Sequence, residues 1–350
     1  MNKVLFRTDG NTQMGLGHLM RCLALAQQLD AGKVEVIFAV RQATVAFCLS
    51  RHDWVGSVII VPDCSLQQEV LWLQQQPEFN QADWLILDGY QFDSDYRQAL
   101  KATAKPLALF DDNNNSGPLY ADLVINGASH ALQLGYTETA PGATYCLGEQ
   151  YRVLRREFSL VEPLPFSERK DLVISFGGSD PLDITLRLLK EVEQLKADMP
   201  IRVITGAAYD RLEELEVYLQ HTVLNIQHLH NHQQMADCFG WARLAISAAG
   251  GSQFELLACA TPSLLVIVAE NQRQASLQAS QQGWCQVTDM TREQDISSLA
   301  KMALELWHQP QKLLAKHQKA AQIADTNGSM RVCEQMADQL KRITSSKKEA

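Results

Sequence analysis

The chain has 350 residues, 46% hydrophobic and 20% charged, with a formal charge of −9 and eight cysteines. That length supports two domains with cores of their own, and the acidic balance argues against nucleic-acid or anionic-membrane partners, which favour basic surfaces. The cysteines at 22, 48, 64, 146, 238, 259, 285 and 333 never fall in a CxxC spacing, which excludes zinc-ribbon and dithiol motifs and fits free thiols in a reducing compartment.

The first residues do not read as a signal peptide, because Asp9 and its polar neighbours interrupt any apolar segment. No run approaches the roughly 18 apolar residues of a membrane-spanning helix. The expectation is a soluble, cytoplasmic protein.

Val4-Leu5-Phe6 reads as a first strand, and Leu19, Cys22, Leu23, Leu25, Ala26 and Leu29 follow at helical spacing. Between them lies Asp9-Gly10-Asn11-Thr12-Gln13-Met14-Gly15-Leu16-Gly17-His18, a glycine-rich turn of the kind that lets backbone N–H groups approach an anion. His18 stands where the helix begins. The positive end of a helix disfavours an imidazolium, which leaves a neutral imidazole suited to general-base work. A turn with a capping histidine is the plain alternative.

Further strands are expected at 34–40, 58–61, 84–87, 107–110 and 123–125, with helical stretches at 66–76 and 94–104. Most are apolar nearly throughout, as in a parallel sheet covered on both faces. Leu87-Asp88-Gly89-Tyr90 ends one strand and could present Tyr90 to a cleft; a capping aspartate and a packing tyrosine are the alternative. Asp111-Asp112-Asn113-Asn114-Asn115 ends the next, and such a run more often makes turns than holds a metal.

Val161-Glu162-Pro163-Leu164-Pro165-Phe166 is a stiff connector. Beyond it the pattern resumes, with strands at 172–176, 201–204, 223–226, 244–246, 263–268 and 285–287 and helices at 184–196, 209–219, 233–241, 254–259 and 275–282. After about residue 292 only helical periodicity remains. The reading is an α/β chain of two Rossmann-like, doubly wound domains over 1–160 and 167–345, with ligands at the strands' carboxyl ends.

Two glycine turns of the second half fall at such ends. Gly177-Gly178-Ser179-Asp180-Pro181 suits a phosphate or a plain turn with Pro opening a helix. Ser247-Ala248-Ala249-Gly250-Gly251-Ser252-Gln253-Phe254-Glu255 is the stronger diphosphate candidate, with Glu255 one turn into the next helix and able to accept from a ribose. A capping box of Ser252 and Glu255 competes with that role and can coexist with it. His221, His228, His230 and His232 cluster nearby; His228 and His230 share a face if extended, yet no third metal ligand stands out. No G-x-S-x-G, HExxH or Walker A motif is present.

Taken together, Arg7-x-Asp9, Gly15-x-Gly17-His18-x-x-Arg21, Phe110-Asp111-Asp112, Gly177-Gly178-Ser179-Asp180 and Ser247…Glu255 resemble the UDP-sugar hydrolases of pseudaminic acid biosynthesis, the PseG family, relatives of the MurG-type glycosyltransferases. Leu154-Arg155-Arg156-Glu157-Phe158 and Glu270-Asn271-Gln272 add to the likeness, which runs from residue 1 to about 290. The resemblance implies a GT-B architecture with an interdomain cleft. It also implies hydrolysis of UDP-2,4-diacetamido-2,4,6-trideoxy-β-L-altropyranose with inversion, no cofactor and no obligatory metal. Carried over, His18 is the base, with Asp9 and Tyr90 positioning sugar or water. Gly15, Gly17, Arg21, Gly178, Ser179 and Asn271 contact substrate, Ala249, Gly250, Gly251 and Ser252 hold the diphosphate, and Glu255 the ribose. The implied partner is a small UDP-sugar, with no nucleic acid or membrane and a monomeric state. A UDP-sugar glycosyltransferase, a hydrolysing 2-epimerase and a silent nucleotide-sugar sensor remain rivals.

Overall fold

A computed structural model describes residues 1–11 and 15–349. The chain forms two compact units, one of Met1–Arg156 with the C-terminal segment from Asp325, the other of Glu157–Ala324.

The first unit holds seven strands, β1 (Lys3–Thr8), β2 (Glu35–Arg41), β3 (Ser57–Val61), β4 (Trp84–Asp88), β5 (Leu107–Phe110), β6 (Leu123–Asn126) and β7 (Thr144–Leu147). All neighbours are parallel, in the order β3-β2-β1-β4-β5-β6-β7. Side chains alternate across the sheet. Val4 and Phe6 face the helix Gly17–Ala31, while Leu5 joins the core beneath the helices Leu66–Gln75 and Ser94–Ala102. Both faces are covered, and the middles of the central strands are apolar on both, as expected. The strand order reverses between β1 and β4, whose carboxyl ends lead into Asp9 and end at Asp88, with Thr8 and Asp88 in register. A doubly wound sheet opens its ligand crevice at such a point.

Two expectations for this unit change. The strand β7 went unread, because four residues of mixed burial at a sheet edge carry little periodic signal. The second is the helix Gly328–Glu349, which falls within the 167–345 bounds although the sequence leaves open whether it returns to the first domain; it packs here on the first unit. Val332 and Met336 are fully buried among Val4, Phe6 and Leu19 of the first core. Ser329 Oγ exchanges hydrogen bonds with the Leu154 backbone, and a Cβ on Gly328 would lie 2.0 Å from the Arg152 carbonyl oxygen. Helical periodicity says that a face must be buried but does not name the surface that buries it.

The second unit is a parallel sheet of β8 (Asp171–Ser175), β9 (Ile201–Thr205), β10 (Ile226–His230), β11 (Ala242–Ala248), β12 (Ser263–Ile267) and β13 (Cys285–Asp289), ordered β10-β9-β8-β11-β12-β13. Its switch point lies between β8 and β11, where both glycine turns begin. The strand expected at 223–226 instead starts at Ile226. Val223 is exposed, and its N–H donates to Glu193 Oε1 on the helix Ile184–Gln194 rather than to a neighbouring strand. The chain changes units between Arg156 and Glu157, earlier than the proline connector: the Arg156 N–H donates to Gln27 Oε1 and Glu157 Oε2 accepts from the Ala236 N–H. All eight cysteines are free, and among the described residues no helix is long and apolar enough to cross a membrane.

Candidate active site

His18 is the second residue of the helix Gly17–Ala31, as the sequence suggested. Its Nδ1 lies 2.8 Å from Oδ1 of Asp88, the fully buried last residue of β4. Arg21 Nη2, which can only donate, also lies 3.3 Å from Nδ1. The shorter contact is to the carboxylate, which can only accept, so Nδ1 carries the proton and the acceptor lone pair is on Nε2. Arg21 lies one turn along the helix and donates to Asp88 through Nε (2.6 Å) and Nη2 (2.7 Å), and to Asp112 Oδ1 through Nη1 (2.6 Å). Tyr90 donates its hydroxyl to Asp112 Oδ2 at 2.6 Å and sets its ring edge-on to His18, centroids 4.6 Å apart at 88°. Burial alone would push the Asp88 carboxyl up, but Arg21 and His18 outweigh it and hold it below the usual carboxylate range. Asp112 is held at about 2, burial again being outweighed by Arg21 and the Tyr90 hydroxyl.

Arg21, expected to contact substrate, therefore has all three guanidinium nitrogens engaged beneath the histidine. Asp9, expected to position sugar or water, is engaged within the protein. Its Oδ2 accepts from Arg7 Nη1 and its Oδ1 from the Arg41 N–H, each at 2.6 Å. Arg7 in turn meets Glu69, which also receives Arg41 and the Tyr96 hydroxyl. Four opposite charges and a phenol balance one another there, so Asp9 braces the ends of β1 and β2 below the loop. Asp111 makes turns, its Oδ1 accepting from the Asn113 and Asn114 N–H groups and the Tyr136 hydroxyl.

The loop itself is pinched where the Gly15 N–H donates to the Asn11 carbonyl at 2.9 Å; residues 12–14 lie outside the described residues. Gly15 needs its positive φ of 82°. Gly17 has no such need, and among the described residues a Cβ there would meet nothing within 4 Å.

In the second unit the turn after β11 leads directly into the helix Ser252–Ala258. The competing capping box is not formed: Gly251 is the N-cap, without a side-chain capping bond, and Ser252 already lies in the helix. Among the described residues no hydrogen bond satisfies the N–H groups of Gly250, Gly251 and Ser252. A Cβ on Gly251 would meet nothing within 4 Å, and one on Gly250 only Gln272 Nε2 at 3.5 Å. Gln272 was not singled out from sequence. Its Oε1 accepts from the Val268 N–H, which fixes the amide so that Nε2, a donor, faces the turn. Asn271 is exposed beside it and Glu255 is half-buried in the first helical turn.

The turn after β8 is built differently. Asp180 directs both carboxylate oxygens onto the Ile184 and Thr185 N–H groups, at 3.0 and 2.7 Å, and so occupies that helix start itself. The helix opens at Ile184, three residues beyond Pro181. Gly178 accepts the Ala208 N–H and touches Gly206, where a Cβ would come within 2.4 Å of it; Ser179 is half-buried. His228 Nε2 and His230 Nδ1 do share a face, both on the Thr205 hydroxyl at 2.8 and 3.1 Å. Among the described residues no three His, Cys, Asp or Glu are placed to hold a metal ion.

Sequence reasoning missed the role of Asp88 and Asp112. The available signal was position alone: both close strands at or beside the switch point, as Asp9 does.

Residues 172–332 match the glycosyltransferase family 28 C-terminal domain. An uncharacterized protein of Methanocaldococcus jannaschii is 29% identical over 286 residues, 78% of this chain; the match spans 57% of that relative's length, little more than half. The UDP-2,4-diacetamido-2,4,6-trideoxy-β-L-altropyranose hydrolase of Campylobacter jejuni is 25% identical over 289 residues, covering 81% of this chain and 97% of that one. Among solved structures, MurG of Acinetobacter baumannii superposes with a TM-score of 0.67 at 15% identity, over 97% of this chain and all of that one. The fold is GT-B, with two Rossmann-like domains, and the resemblance to the PseG family extends over most of the chain.

Proposed function

We propose that this protein is an inverting UDP-sugar hydrolase acting on UDP-2,4-diacetamido-2,4,6-trideoxy-β-L-altropyranose. It releases UDP and 2,4-diacetamido-2,4,6-trideoxy-L-altrose. The observation that carries the reading is the bond from His18 Nδ1 to buried Asp88, which turns the Nε2 lone pair to base work.

Water attacks the anomeric carbon as the bond to the diphosphate oxygen breaks. His18 Nε2 takes the water's proton, and Asp88 stabilises the imidazolium that forms while holding the ring's orientation. UDP is a good leaving group, so the remaining need is stabilisation of charge growing on the diphosphate. The Gly250, Gly251 and Ser252 N–H groups and Gln272 Nε2 supply donors for it despite the net charge of −9. Glu255 accepts from the ribose hydroxyls and Asn271 contacts the sugar. Gly15 and Gly17 leave room for the substrate. Gly178 and Ser179 keep the neighbouring turn in place, and Asp9 braces the His18 loop. The reaction takes no cofactor.

Time-resolved proton NMR of the UDP-sugar with enzyme and no acceptor tests this. Prompt equimolar UDP and free sugar of inverted anomeric configuration is expected, and His18→Asn abolishes turnover while UDP affinity stays unchanged. The match to a glycosyltransferase domain favours one second reading, transfer from a UDP-sugar donor. Inertness without an acceptor selects it over hydrolysis.

A further inference from the structure

We infer that Asp112 is a positioning residue of the proposed hydrolysis, holding His18 through Arg21 and Asp88 on one route and through the ring of Tyr90 on the other. The inference rests on the hydrolase reading and deepens it.

The contacts form a closed circuit. His18 meets Asp88 at 2.8 Å, Asp88 meets Arg21 at 2.6 and 2.7 Å, and Arg21 meets Asp112 at 2.6 Å. Asp112 meets the Tyr90 hydroxyl at 2.6 Å, and the Tyr90 ring returns edge-on to His18. Among the described residues Asp112 makes no hydrogen bond to the imidazole itself, yet each of its oxygens serves one of the two routes.

Each route has a physical task. Arg21 needs a second carboxylate: with Asp112 on Nη1, its other nitrogens stay aligned on both oxygens of Asp88, which fixes the histidine tautomer. Tyr90 needs a tether, because its side chain is 62% exposed and an untethered exposed aromatic samples other rotamers. Asp112 makes that ring a fixed wall beside the base. The phenol proton is thereby directed to Asp112, and Tyr90 serves the reaction through its ring.

The charged and titratable groups around the histidine are Asp88 and Tyr90 from β4 and its following loop, Asp112 from the end of β5, and Arg21 from its own helix. His130 approaches the Asp112 main chain from beyond β6. Removing the Asp112 charge leaves one fewer anion to favour the protonated base.

A double-mutant cycle on the full chain tests the circuit, using Asp112→Asn, Tyr90→Phe and the pair. Asp112→Asn is expected to lower kcat about 10- to 100-fold with KM little changed. Tyr90→Phe lowers kcat less, and the pair is no worse than Asp112→Asn alone, because both remove the same bond. The acid limb of the kcat/KM profile moves to lower pH in Asp112→Asn and stays in place in Tyr90→Phe; a purely structural role moves neither. Effects that multiply, or an unmoved limb in Asp112→Asn, overturn the inference. If Asp112→Asn does not fold, Asp112→Glu replaces it: the charge is kept, so the limb stays while kcat falls, and an unchanged kcat overturns the inference. A wild-type protein inert toward the UDP-sugar overturns the hydrolase reading itself, before any variant is compared.

Discussion

Replacing Asp88 with asparagine separates the orientation of His18 from its mere presence. The carboxylate is fully buried and accepts from His18 Nδ1 at 2.8 Å and from Arg21 Nε and Nη2 at 2.6 and 2.7 Å, with Cys22 Sγ at 3.6 Å. Asparagine has the same shape but keeps one acceptor oxygen and places an NH2 where the other stood. The oxygen stays with the guanidinium, whose charged donors make the stronger bonds. The NH2 then faces Nδ1, which must become an acceptor, so the ring proton moves to Nε2 and the lone pair that removes water's proton is lost. General-base catalysis contributes about 10²- to 10⁴-fold, or about 3–5 kcal/mol of barrier at about 1.36 kcal/mol per tenfold. Stability falls as well: opening a buried ion pair costs up to about 3–5 kcal/mol, and less here because Asp112 still holds Arg21. The assay is release of UDP and free sugar followed by NMR, with UDP binding by calorimetry and folding by circular dichroism. A folded Asp88→Asn protein that hydrolyses at the wild-type rate would refute the reasoning.

Other consequences follow from particular contacts. Gly17→Ala should leave the melting temperature unchanged or raise it, since alanine is favoured by about 1 kcal/mol in a helix and meets no neighbour within 4 Å among the described residues; lost turnover in that stable variant marks the space as the substrate's, and full activity argues against it. Gly251→Ala should change stability by about 1 kcal/mol or less while weakening UDP binding, measured by calorimetry; unchanged affinity removes this turn from the nucleotide site. Asp112 has its carboxyl lowered from 3.8 to about 2. Its folded form therefore binds the proton less readily than the unfolded chain, and its contribution of about 2 kcal/mol is present above pH 4 and lost as pH falls toward 2. Urea unfolding across that window should show the wild type losing more stability than Asp112→Asn, and parallel curves would count against the assignment. Deleting residues 325–350 removes Val332 and Met336, both fully buried, from the first core. At about 1.5–3 kcal/mol for each buried side chain, that unit should unfold or lose at least about 3 kcal/mol, as read from its melting curve.

Much of the architecture was legible because parallel strands buried on both faces are written in consecutive residues. Val4-Leu5-Phe6 and Leu264-Leu265-Val266 announce themselves without reference to any partner. The short edge strand Thr144–Leu147 does not, since a half-covered edge places little demand on its side chains. The histidines at 228 and 230 were legible as a pair sharing one face because strand geometry alternates by two. Their common partner Thr205 lies on the adjacent strand and was not.

The sequence by itself determined the helix start at His18, the glycine turns at the strand ends and the repeated β-α plan, because each depends on residues within one or two turns of chain. Only the tertiary structure decided what those residues meet. An aspartate at a strand end can hold a turn or orient a histidine, and Asp111 and Asp88 do these different things because of what crosses their strand ends. Arg21 belongs to the support of His18 because Asp88 and Asp112 lie 67 and 91 positions away in sequence and converge on its one guanidinium. The C-terminal helix likewise joined the first unit because Val332 and Met336 found their burial there. Periodicity states that a face must be covered; the chain's long-range return decides by what.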